Sequence, residues 1–163
     1  KDSHEKFILA PHNIHNSDIE HLKRGIHKNV ILYSQINSEN VQDAQVIIID
    51  SIGLLSAVYA YATIAYVGGG FGTGIHNVLE PATYGIPIFI GPKYHKFKEA
   101  KDLIALDAII VINSKDELTE KLVLLKNNKS QLSEKGLRAK QYVIENKGAG
   151  EIILKYINNI VTL

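Results

Sequence analysis

The chain has 163 residues, 45% of them hydrophobic, and a formal charge of +1. That length suits one globular domain with a single core, burying roughly two-thirds of its unfolded surface, and the near-neutral balance gives no electrostatic reason to expect a nucleic acid as partner. The absence of cysteine excludes disulfides and thiolate metal sites, and the seven histidines form no cluster at metal-ligand spacing.

No apolar run is long enough to cross a bilayer and no signal peptide opens the chain, so a soluble, cytoplasmic module is expected. There is no methionine, and Lys1 stands only a few residues before the first strand, which reads as a fragment of a longer protein or a domain expressed alone.

Short β-rich runs predict strands at 7–10, 30–33, 46–49, 64–67, 88–90 and 108–112. Helical patterns fill the gaps at 18–25, 53–61, 78–84, 96–106 and 116–127, the last opened by Ser114 as N-cap. Two more helices are expected at 130–145 and 151–161, separated by Gly148-Ala149-Gly150, with Ile153, Leu154, Ile157, Ile160 and Val161 on one face of the second. This alternation argues for an α/β, Rossmann-like three-layer domain built on a parallel sheet of about six strands.

In chain order, the first candidate site is Pro11-His12-Asn13, after the first strand. Proline stiffens the loop and leaves carbonyls available to a base edge, although a plain turn accounts for the same residues. His4, His15, His21 and His27 lie in polar surroundings and are expected to face solvent.

The second candidate follows the third strand, at Asp50-Ser51-Ile52-Gly53-Leu54. Ser51 is a natural N-cap, which would aim the N–H groups of Ile52, Gly53 and Leu54 at a phosphate; an ordinary capped helix needs no ligand to explain them.

The third begins with five glycines in the seven positions 68–74. Without Cβ atoms that backbone can approach a ligand closely and turn its N–H groups toward an anion. Asn77-Val78-Leu79-Glu80 then fits a capping box, with Asn77 at the N-cap, Glu80 at N3 and Pro81 inside the first turn. Glu80 reads either as this cap or as an acceptor for ribose hydroxyls. The basic stretch Lys93, His95, Lys96, Lys98 and Lys101 reads as a solvated face. The sequon at Asn128-Lys129-Ser130 reads as chance.

The run from Asp50 to Pro92, with its continuation KFKEAKDL, resembles the C-terminal domain of bacterial 3-deoxy-D-manno-octulosonic acid (Kdo) transferases. The resemblance is dense over 50–103 and looser at Pro11-His12 and at the closing GAGEIILKYI. It implies the C-terminal half of a GT-B glycosyltransferase, made of two Rossmann-like domains, that moves Kdo from CMP-Kdo to the lipid A precursor in lipopolysaccharide synthesis. It implies CMP contacts at Pro11 and His12, at Ile52, Gly53 and Leu54, and at Asn77, Val78, Leu79 and Glu80, converging on one cleft. It implies no cofactor or metal. The general base and the lipid-acceptor surface are implied for the N-terminal domain, and the full-length enzyme for the cytoplasmic face of the inner membrane. Two residues depart from the pattern: His12 stands where many members have arginine, and Leu54 where they have glutamate. An imidazole does not replace a guanidinium fork, and leucine removes a carboxylate. The donor half of a UDP-sugar transferase and a stand-alone nucleotide-binding module are the other readings.

Overall fold

The computed structural model describes residues 5–37 and 39–161, and His4 lies outside them, as does the side chain of Val161. All six expected strands are present, each three residues long, and they form two parallel three-stranded sheets. The chain divides into two compact units, residues 1–60 and 61–163. Buried side chains gather separately in each, where chain length alone suggested one core.

The first unit runs β1 (Phe7–Leu9), α1 (Asn16–Arg24), β2 (Val30–Leu32), β3 (Val46–Ile48) and α2 (Leu55–Val58), with sheet order β1-β3-β2. Alternation along β3 sends Val46 and Ile48 to one face, where they pack with Ile19 of α1 and with Leu22, Ile26, Val30 and Leu32. His15, His21 and His27 are exposed, as expected.

The second unit runs β4 (Ala65–Val67), α3 (Leu79–Thr83), β5 (Ile88–Ile90), α4 (Lys98–Ala105), β6 (Ile109–Val111), α5 (Lys115–Asn127), α6 (Lys129–Asn146) and α7 (Ala149–Val161). The central strand β5 is buried along its whole length. Ile88 and Ile90 face a cluster with Ala82, Ala100, Leu103, Ala139 and Tyr142, whereas Phe89 faces Ile112, Leu118, Leu122 and Leu125. Helices therefore cover both faces of this sheet, the three-layer arrangement that a run of apolar residues in a parallel strand requires.

Two helix starts carry side-chain caps. Ser114 Oγ accepts from Glu117 N at 3.1 Å, as expected of its cap position. Asn128 caps α6 by accepting from Gln131 N, which gives the sequon asparagine a structural role. Gly148, at φ 109, separates α6 from α7. The basic residues Lys93, His95, Lys96, Lys98 and Lys101 are all exposed.

Candidate functional site

In the first unit β1 and β3 pair in parallel, Leu9 opposite Ile48, and Ile49 N donates to Leu9 O at 2.8 Å. Pro11-His12 and Asp50–Leu54 therefore both leave the carboxyl edge of the same sheet, where open α/β folds take their ligands. The carboxylate of Asp50 adds β2 to this edge by accepting from the backbone N–H of Ser34 at 3.0 Å and from its hydroxyl. Burial works against the charge on Asp50, but the Ser34 hydroxyl and N–H outweigh it and hold the carboxyl below its usual value.

Ser51 is not the cap of α2. The helix starts at Leu55 with Leu54 at the N-cap and no side-chain cap bond. The reason is Gly53, whose φ of 89° makes a turn of residues 51–54 before helical geometry can begin. Ser51 Oγ is turned inward, buried and without a hydrogen-bond partner among the described residues. The N–H groups of Ile52, Gly53 and Leu54 thus belong to a turn. Ile52 projects its side chain outward at 90% exposure, and His12 is exposed nearby in sequence to half-buried Pro11.

In the second unit the glycine-rich loop is shaped by its own chain. A Cβ on Gly70 would stand 2.7 Å from the Cα of Gly91, one on Gly69 2.2 Å from the oxygen of Gly74, and one on Gly74 2.9 Å from the ring of Phe97. Side chains at these positions would collide with protein, so close packing already demands glycine there without a ligand. The bond from Lys93 N to Gly70 O, at 3.0 Å, ties the loop after β4 to the loop after β5.

The same loop sets up a cleft. His76 N donates to Gly68 O at 3.0 Å, and the chain then turns into α3. The helix begins at Leu79 with Val78 as N-cap, so Asn77 sits one residue earlier than the capping box requires. Its Oδ1 accepts from Leu79 N at 2.9 Å, and its Nδ2 donates to Glu80 Oε1 at 3.0 Å. Asn77 and Glu80 are therefore linked side chain to side chain. Pro81 falls in the first turn, where no N–H is missed. Ile75, His76, Asn77, Val78, Leu79, Phe97 and Glu99 line a cleft of about 290 Å³. Three expected contact residues, Asn77, Val78 and Leu79, are thus on its wall. His76, Phe97 and Glu99 were not singled out from sequence, and only the adjacency of His76 to Asn77 offered a signal.

No family model matches the chain. Among curated proteins it is 33% identical over 123 residues to the 3-deoxy-D-manno-octulosonic acid transferase of Aquifex aeolicus, a match covering 74% of this chain and 33% of that protein. The chain is a homologue of Kdo transferases. The Kdo transferase of Haemophilus influenzae is 32% identical over 116 residues, covering 69% of this chain and 27% of its own length. The chain thus spans about a third of the Kdo transferases it matches. Among solved structures, the C-terminal CMP-Kdo-binding domain of WaaA from Acinetobacter baumannii superposes with a TM-score of 0.71 at 23% identity, covering 85% of this chain and 73% of that one. The α/β fold expected from the sequence is the fold of that Kdo transferase domain.

Proposed function

We propose that the chain is the CMP-Kdo-binding half of a transferase that adds Kdo to the lipid A precursor in lipopolysaccharide synthesis, acting at the cytoplasmic face of the inner membrane. The observation that carries this reading is the 33% identity to a Kdo transferase over 123 residues. The part of the relatives that the chain does not span would supply the general base and the acceptor surface. The donor contacts are Pro11, His12, Ile52, Gly53 and Leu54 in the first unit and Asn77, Val78, Leu79 and Glu80 in the second.

The local geometry suits that work. The turn at 52–54 has main-chain N–H groups and, with leucine at 54, no carboxylate to repel an anion, and Asn77 holds Glu80 by a 3.0 Å bond. A carboxylate accepts up to about four hydrogen bonds, so this one is compatible with ribose hydroxyls as further donors. With only half of a two-domain cleft, the isolated chain binds CMP or CMP-Kdo weakly and transfers nothing.

Titrating CMP into the isotope-labelled chain by NMR, with UDP as competitor, tests the reading. Shifts confined to residues 10–12, 51–54 and 76–80, with UDP a poor competitor, are expected. Equal displacement by UDP would assign the chain to another nucleotide sugar. Shifts that avoid all three segments would remove the donor role.

A further inference from the structure

The turn at 51–54 has little packing of its own. Ile52 is 90% exposed, and a Cβ on Gly53 would meet nothing within 4 Å. No side chain caps α2, and Ser51 Oγ has no hydrogen-bond partner among the described residues. The base of the turn, in contrast, is tied down. Leu32 and Ile48 are the last pair of the β2–β3 ladder. Just beyond them the contact continues through a side chain, because the carboxylate of Asp50 accepts from Ser34 N at 3.0 Å and from the Ser34 hydroxyl. Ser34 stands in a single 3-10 turn, Tyr33–Gln35, that follows β2 directly. Since Asp50 is joined to Ser51, this pair sets the direction in which the chain enters the turn. The acceptor is a carboxylate, so the bonds are charge-assisted and stronger than those between neutral groups.

We propose that Ser34 is a positioning residue for nucleotide binding: by holding Asp50 it keeps the main-chain N–H groups of residues 52–54 in the orientation that receives the ligand. The inference rests on the donor-site reading above. Ser34 touches no ligand in this account and acts only through Asp50. A turn that has to order itself on binding loses affinity to that ordering, whereas one held in advance from the neighbouring strand does not.

The test uses the whole chain, with CMP titrated by NMR into the native protein and four variants. In ligand-free Ser34→Ala the amides of residues 51–54 should shift and exchange faster, while those of β3 and β5 stay as they are. Its melting temperature should stay close to the native one, because Ser34 is exposed. CMP affinity should nevertheless fall about three- to tenfold, the range expected for one hydrogen bond. Ser34→Thr, which keeps the hydroxyl, should recover most of it. Asp50→Ala should lose at least as much as S34A, and adding S34A to D50A should cost nothing further, since both cut the same link. Unchanged CMP affinity in S34A, or a second full loss when S34A is added to D50A, would overturn the positioning role and leave the donor-site reading standing. No CMP response anywhere in the native chain would instead remove that reading and this role with it.

Discussion

Glu117 accepts from the backbone N–H of Asn113 at 2.7 Å and from its amide at 3.0 Å, and it pairs with Lys121 at the start of α5. The bond from Lys121, followed by those from Asn113, pulls its carboxyl from the usual 4.5 down to about 2. Since the folded value is the lower one, the stabilisation is complete above about pH 4.5 and is lost as pH falls toward 2. An NMR titration should put the Glu117 midpoint near 2, and Glu117→Gln should flatten the acid limb of the pH–stability curve. Ser114→Ala, which removes the bond to Glu117 N, should cost about 1 kcal/mol in denaturant unfolding. This cap was legible because Ser114 and Glu117 share one helical turn. Ser51 has Leu54, not an acid, three residues on, and it is not a cap, since Gly53 inserts a left-handed turn before the helix. The glycines at 69, 70 and 74 were readable as special but not as crowded, because Gly91 and Phe97 lie far along the chain from them.

At the scale of elements, α6 meets α3 through two glycines. A Cβ on Gly136 would stand 2.1 Å from the carbonyl oxygen of Gly85, whose own φ of 70° ends α3. Gly136→Ala should therefore destabilise the chain by about 1–3 kcal/mol as helix and turn are forced apart. The chemical counterpart of this contact is Asp107, at φ 56 between α4 and β6, which receives Lys135 and Arg138 from α6. Its carboxyl is held below the usual value by the hydrogen bond from Lys135, against the opposing effect of burial. Asp107→Ala leaves a buried ammonium short of its carboxylate. Because Asp107 itself is largely exposed, the loss should fall between the surface and buried extremes, about 1–3 kcal/mol in urea unfolding. Helix α7 differs in burial: residues 149–160 are all exposed, including Ile153, Leu154, Ile157 and Ile160. An isolated helix of that length is marginal in water. Hydrogen exchange should be far faster in its amides than in those of β5. The apolar face was plain in the sequence; that the described residues leave it uncovered was not, because periodicity does not say what lies opposite.

For the molecule as a whole, strand number and parallel direction were readable from alternating short runs, but the division into two sheets was not. A run such as Val46–Ile48 reveals that it is buried without revealing which neighbours pair with it. The candidate segments at 11–13 and 50–54 were readable for a related reason: each follows an expected strand of the first sheet, and strand ends in a parallel sheet collect at one edge. Local sequence could not show how α3 starts or which distant residues, Phe97 and Glu99, share the cleft with Asn77.

The order β1-β3-β2 also governs how the first sheet can assemble as the chain is synthesised. Its middle strand is the last of the three to be made, and among the described residues both neighbours pair with it and not with each other. Until Val46–Ile48 has left the ribosome, β1 and β2 have no ladder to join, and their Val, Ile and Phe side chains wait in open polypeptide. The second sheet is added strand by strand, β4 to β5 and then β5 to β6. Released chains truncated shortly before residue 46 should therefore be cleaved by protease throughout, whereas chains that carry β3 and the rest of the first unit should gain protection in all three strands at once.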